Sequence, residues 1–218
     1  MASDNPPNGA ESLVRTLAAS GVELCFANPG TSEMHFVAAL DRIDGVRCVL
    51  GLFEGVATGA ADGYWRMARR PATTLLHLGP GLGNGWANLH NARKARSGIV
   101  NIVGDHATEH ARFESPLHSD LDGVAGAVSH WTRRSLRGAD VGADGAAAVA
   151  AARDGEVGRI ATLILPADTA WTEAADPVGG PWPGHATWFH SEHYLHSGHV
   201  DPDITGLVGL RAHADARA

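Results

Sequence analysis

The sequence is poor in several features that mark particular protein classes. Among 218 residues there are only two cysteines, Cys25 and Cys48. No CxxC occurs and no Cys/His zinc spacing uses them, which excludes a disulfide-dense scaffold and a zinc-ribbon module. Each sits in a short apolar run, so both read as core thiols in a reducing compartment; a disulfide would follow only if two strands set them side by side. No run of 18 apolar residues occurs, so no membrane-spanning helix is expected. The first ten residues, MASDNPPNGA, lack the basic and apolar regions of a signal peptide. Residues 1–10 therefore read as a disordered N-terminal extension, and the chain as cytoplasmic. No Lys/Arg block stands out, and the net charge is −7 with a pI near 6.0, which argues against nucleic acid and anionic membranes as partners.

What the sequence does have is 44% hydrophobic residues, enough for one sizeable core. A domain of about 150 residues buries roughly 70% of its unfolded surface. From Glu11 to Trp171, short apolar runs alternate with amphipathic segments. Leu13, Val14, Leu17 and Ala18 recur at helical spacing, and Gly21 ends that helix. Apolar runs at 23–27, 46–50, 72–78, 99–103 and 159–165 read as strands. Helices are expected to about Arg42 after a Thr31 or Ser32 cap, from Glu54 to Ala68, after the Gly79–Gly85 segment to about Arg96, and over 143–152. Strands alternating with helices of ten or more residues imply βαβ units, and runs without strict alternation fit strands buried on both faces. The expected fold class is α/β, a three-layer α/β/α sandwich with a mostly parallel sheet, plus an irregular C-terminal tail. The expected domain is 11–172. Residues 173–218 read as a Pro/Gly linker and a disordered tail; the stretch HATWFHSEHYLHSGH holds five of the thirteen histidines.

Ligands in such sheets bind beyond the carboxyl ends of the strands, which singles out 28–32, 53–54, 77–84 and 104–106. Glu54 lies where a strand meets an Ala/Gly-rich helix. A carboxyl there would be partly desolvated and suited to sharing a proton with a ring nitrogen, although acidic residues are common in first helical turns for electrostatic reasons alone. The GPGLGNG segment at 79–85 reads as a loop before its helix, with Asn84 as a possible cap. It is not the dinucleotide fingerprint: a GxGxxG frame from Gly79 puts Asn84 at the last glycine, and one from Gly81 puts Trp86 there. No Gly-Lys-Ser/Thr follows, so it is not a P-loop either. His77 ends the third strand, where an imidazole can move protons near neutral pH. Asp105 and His106 end the fourth strand in the same way. His106 and His110, four apart, could face each other, but catalytic zinc takes three protein ligands and no third is apparent. His193, His196 and His199 in the tail lack a capping pattern and offer at most a metal-sticky segment. No metal ligands are assigned.

Four pieces taken together carry a family resemblance: FANPGTSEMHF (26–36), LGLFEGVATGAADGYWR (50–66), LLHLGPGLGNGWANLHNARKARSGIVNIVGDHA (75–107) and ATLILPAD (161–168). In this order and spacing the chain resembles the N-terminal, pyrimidine-binding domain of thiamine-diphosphate enzymes of the acetolactate synthase and benzoylformate decarboxylase type. The resemblance implies that Glu54 is the cofactor-activating glutamate, which hydrogen-bonds N1′ of the aminopyrimidine and favours its imino tautomer. It implies that His77 is a proton-transferring and substrate-contacting residue, and that Thr31 stands where decarboxylase-like members carry a substrate-contacting serine. Pro29, Gly30, Glu54, Gly79, Pro80, Gly81 and Asn84 then belong to the cofactor-binding set. His77 leans towards a decarboxylase; Gly79-Pro80-Gly81 and Asn84 look more like a synthase. The implied substrate is a 2-keto acid of unassigned identity, handled by a lyase or a transferase.

The family also carries a later domain whose GDG…N segment holds Mg²⁺ and the diphosphate. Gly-Asp-Gly does not occur in these 218 residues. The expectation is a truncated chain with half a site, inactive alone. It would work as a homodimer or with a diphosphate-domain-bearing subunit, and would meet Mg²⁺ only through that partner. The alternative is a catalytically inactive remnant that folds and interacts with a full-length relative.

Overall fold

The computed structural model describes residues 6–153 and 157–178. The first helix, α1 (Gly9–Ala19), begins two residues ahead of the sequence boundary at 11. Asn8 makes a capping box there: its side chain accepts from the Glu11 N–H at 2.9 Å, while the Glu11 carboxylate accepts from the Asn8 N–H at 3.2 Å. Strand β1 (Leu24–Asn28) leads through a single 3₁₀ turn at Thr31–Glu33 into α2 (Met34–Arg42). Then follow β2 (Arg47–Leu50), α3 (Glu54–Ala68), β3 (Ala72–Leu76), α4 (Leu78–Lys94) and β4 (Ile99–Asp105). The chain continues through α5 (Leu121–Val128), β5 (Trp131–Arg134), α6 (Val141–Ala152), β6 (Ile160–Pro166) and a short α7 (Ala167–Trp171).

All six strands are parallel, in the order β2-β1-β3-β4-β6-β5. One apolar core lies between the sheet and α1, α2 and α6, and is built on Leu13, Leu17, Phe36, Leu75, Ile102 and Leu163. A second lies between the other face and α3, α4 and α5. The expected three-layer α/β/α sandwich is therefore the observed fold. Strands β3, β4 and β6 are buried along their whole length, which is why their sequences are near-continuous apolar runs.

Two features departed from the sequence expectation. Strand β5 reads WTRR, and as an edge strand it never acquires an apolar pattern. Helix α4 starts at Leu78, so the glycine-rich stretch 79–85 is helix rather than a loop, and Asn84 lies inside it rather than capping it. Pro80 is its third residue, where the N–H has no intrahelical partner to lose. Residues just beyond 172 continue to touch the domain: Glu173 bridges Asn8, and the Val178 N–H donates to the Thr16 hydroxyl at 3.1 Å. The tail histidines and the Pro/Gly segment from 179 lie outside the described residues.

The middle of the sheet carries a buried polar row. In register across β3, β4 and β6 stand Thr74, Asn101 and Thr162. The Thr74 hydroxyl donates to Asn101 Oδ1 at 2.7 Å, Asn101 Nδ2 donates to Thr162 Oγ1 at 3.0 Å, and Thr162 Oγ1 meets the Ser129 hydroxyl at 2.7 Å. All but Ser129 are fully buried. Asn101→Leu keeps the γ-branched shape, strands the buried Thr74 hydroxyl and leaves Thr162 with Ser129 alone, so we expect a loss of about 2 kcal/mol in a urea unfolding series; no change would mean that the row is not a connected network.

Candidate functional site

Strands β1 and β2 extend the sheet one way and β3 starts the other half, so the chain reverses direction of build between β1 and β3. At such a switch point the loops leaving the strand ends part and open a crevice. Three of the four strand-end segments singled out in the sequence converge there: 28–32 after β1, 53–54 after β2, and 77–84 after β3. The first two are tied together by Asn28 Nδ2, which donates to the Gly51 carbonyl at 2.8 Å.

His77 Nδ1 lies 2.8 Å from Glu33 Oε2. The same carboxylate oxygen accepts from the Gly30 N–H at 2.7 Å. Glu33 is almost wholly buried, and its other oxygen, Oε1, has no hydrogen-bond partner among the described residues. Burial pushes the Glu33 pKa up, while the Gly30 N–H and His77 pull it down. Gly30 is needed for this arrangement: a Cβ on residue 30 would stand 2.5 Å from His77 Nε2, inside the ring's van der Waals envelope. Glu33 lies within the motif at 26–36, but the sequence alone gives it no role. Its signal was the three-residue spacing from Gly30, which is the spacing at which an acid in a first turn reaches back to a free N–H.

Glu54 is the first residue of α3 and is nearly buried. Asn84 Nδ2, two turns into α4, donates to Glu54 Oε2 at 3.0 Å. Oε1 makes no hydrogen bond among the described residues. It faces Gly81, where a Cβ would lie 3.0 Å from Oε1 and 3.5 Å from the His77 Cβ. Gly81 thus sits between the Glu54 carboxylate and His77, and its missing side chain leaves backbone open to both. Helices α3 and α4 are held at this distance by two further bonds. Asn88 Nδ2 donates to the Gly55 carbonyl at 2.6 Å, and the Thr58 hydroxyl reaches the Gly85 carbonyl at 3.3 Å.

Thr31, Pro80 and Asn84 are solvent-exposed at this end of the sheet, Pro29 and Gly30 are half-buried, and Gly79 is buried. Beside them the same strand ends expose large apolar side chains: Met34, Leu50, Phe53 and Val56, and Leu52 at 90% exposure. The fourth strand-end segment has another role. Asp105, itself buried, forms an ion pair with the partly exposed Arg134, which also holds Asp122 at 2.8 Å. His106 stacks on His118 with ring centroids 6.1 Å apart, and His110 meets Phe113 edge-on, so the two histidines do not face each other. No group of three or more His, Cys, Asp or Glu side chains that could hold a metal occurs among the described residues. No helix among them is long and apolar enough to cross a membrane.

Residues 7–126 match the family described as thiamine pyrophosphate enzyme, N-terminal TPP binding domain. A Mycobacterium tuberculosis protein named as a candidate acetolactate synthase large subunit, IlvX, is 64% identical over 173 residues, covering 79% of this chain and 33% of that protein. Benzoylformate decarboxylase of Pseudomonas aeruginosa is 36% identical over 97 residues, covering 44% of this chain and 18% of the enzyme. A solved structure of the thiamine diphosphate-dependent 4-hydroxybenzoylformate decarboxylase of Rhodococcus jostii RHA1 matches with a TM-score of 0.72 at 27% identity, covering 77% of this chain and 32% of that one. The chain therefore spans about a third or less of the length of these relatives.

Proposed function

The chain belongs to the family of N-terminal TPP-binding domains of thiamine pyrophosphate enzymes, and on that premise we propose that the crevice between β1 and β3 is the aminopyrimidine half of a thiamine-diphosphate site acting on a 2-keto acid. The observation that carries this reading is Glu54: Oε2 is held by Asn84, and Oε1 is turned unpartnered towards the bare backbone of Gly81. A carboxyl so held can hydrogen-bond N1′ of an aminopyrimidine lying along Gly81. The residues fit the cofactor on this side, since small residues line the approach and a nearly buried acid waits at its end. Pro29, Gly30, Gly79 and Pro80 supply the surrounding backbone.

When bound, thiamine diphosphate would supply the carbanion chemistry by which a 2-keto acid loses its carboxyl group as carbon dioxide. The protein's part is orientation and proton movement. Glu54 holds or releases a proton at N1′. His77, steered through Nδ1 by Glu33, keeps Nε2 free to move a proton at the substrate. Thr31, exposed on the same rim, offers a hydroxyl to the substrate carboxylate. Whether the product is an aldehyde or an acetolactate-like adduct depends on groups beyond this half-site.

The diphosphate and Mg²⁺ belong, on this reading, to a second polypeptide region docking on the apolar rim of Leu52, Phe53 and Val56, supplied by a second copy or by a diphosphate-domain-bearing subunit. The deciding experiment is calorimetric titration of the chain with thiamine diphosphate and Mg²⁺, alone and mixed with a separately expressed diphosphate-binding domain. Micromolar binding seen only in the mixture supports the half-site. Association of the two proteins without any cofactor binding rejects it in favour of an inactive, interacting remnant. Leu52→Asp, which touches none of the hydrogen bonds above, should weaken that association tenfold or more, because a charge at the centre of an apolar contact is left desolvated (roughly 1–3 kcal/mol). Unchanged association moves the docking surface elsewhere.

A further inference from the structure

Cys25 and Cys48 are the two cysteines of the chain, and neither has a role in the site above. They come from different strands, yet the parallel pairing of β1 with β2 sets Cys25 directly opposite Cys48. Opposed residues on neighbouring strands project to the same face. Strands lie about 4.8 Å apart, within the Cα separation of about 4.4–6.8 Å that a disulfide spans. Each thiol shifts the ionisation of the other, as expected of neighbours in register. Both are reduced; Cys25 is buried, whereas Cys48 is exposed on the edge strand of the sheet.

We propose that this pair is an oxidative modification site for small hydroperoxides, with Cys48 the attacking thiol and Cys25 the resolving one. The Cys48 thiolate attacks one peroxide oxygen and the O–O bond breaks. The other oxygen leaves as alkoxide or hydroxide and takes up a proton, and Cys48 becomes a sulfenic acid. Cys25 sulfur then attacks the Cys48 sulfur, the S–O bond breaks, and the leaving hydroxide takes the Cys25 proton as water. Two thiols and one hydroperoxide thus give one disulfide, one alcohol or water, and one further water.

The asymmetry of the pair fits these roles. The neighbouring Cys25 thiol lowers the Cys48 pKa to about 7, against the opposing effect of burial, so a large fraction is thiolate at neutral pH. Cys25, beside Cys48 and fully buried, is raised well above its ordinary value and stays protonated until its partner has reacted. The oxidant can reach only the edge strand. The link would form three residues before Asn28, the residue that ties the β1 end to the β2 end, so β1 and β2 would be joined covalently just ahead of the crevice.

The test is intact mass and peptide mapping of the reduced chain after exposure to one equivalent of hydrogen peroxide. The expected result is a monomer lighter by about 2 Da with a 25–48 cross-link, reversed by dithiothreitol. Two titratable thiols should fall to none, and alkylation of Cys48 in the untreated chain should be half-maximal near pH 7. In Cys48→Ser, Cys25 should remain a free thiol; in Cys25→Ala, Cys48 should stop at a sulfenic acid that dimedone traps. Three results on the wild-type chain would overturn the proposal, whether or not either variant folds. They are no reaction while free cysteine is consumed, Cys48 overoxidised with Cys25 still a thiol, and a Cys48–Cys48 link between two chains.

Discussion

Glu54→Gln should abolish cofactor-dependent turnover in the chain reconstituted with a diphosphate-binding partner, while leaving the fold intact. The substitution is nearly isosteric, and its amide oxygen can still accept from Asn84 Nδ2. The amide nitrogen then occupies the position of Oε1, where it can donate to N1′ but can neither take up nor return a proton. General acid–base groups contribute on the order of 10²–10⁴ in rate, and the expected loss lies in that range. Because Glu54 makes its described side-chain hydrogen bond to Asn84 alone, circular dichroism and the thermal midpoint should stay close to those of the parent. Retained turnover would remove Glu54 from the chemistry. Lost turnover with a collapsed melt would show that the residue serves packing instead.

The second large effect is expected at a glycine. Gly30→Ala introduces a Cβ that would overlap the His77 ring. A methyl pressed against that imidazole cannot be absorbed without moving the 29–31 backbone or swinging His77 off Glu33. Both outcomes break the shared contact in which Glu33 Oε2 holds the Gly30 N–H and His77 Nδ1 together. Overpacking of this kind costs about 1–3 kcal/mol, and a misaimed proton-transfer group costs on the order of 10²-fold in rate. The double variant with His77→Ala should be no slower than His77→Ala alone, because the methyl acts through the ring. Additive losses would reject the coupling.

The same variant carries a pH signature. Burial raises the Glu33 pKa in the fold, so its ionised form costs stability above its unfolded pKa, and that cost fades as pH falls through the folded value. Gly30 and His77 are the contacts that oppose the rise. With both disturbed, the stability gap between Gly30→Ala and the parent should be widest at neutral pH and narrow on acidification.

Much of the fold was legible one segment at a time. Helix α3 runs over Glu54–Ala68, as its Ala/Gly-rich pattern suggests. Five of the six strands fall within two residues of their apolar runs, because strands buried on both faces must be apolar throughout. Strand β5 escaped because an edge strand obeys no such demand. Helix α4 was mistaken at its start because local preference counts glycine as a breaker. Preference has no way to register that Gly81 lies against Glu54 and His77, where a side chain would intrude.

The candidate site divides along the same line. By themselves the residues marked the strand ends where chemistry belongs, and the ordered motifs fixed the family and pointed to Glu54 and His77. Only the tertiary structure decided that Glu33 lies under His77, that Asn84 holds one oxygen of Glu54 and leaves the other open, and that the two cysteines stand face to face. Periodicity records whether a residue is buried, which each short segment must satisfy on its own. Partnership between residues 23 to 44 positions apart depends on strand order and register, and these are set when the whole sheet assembles.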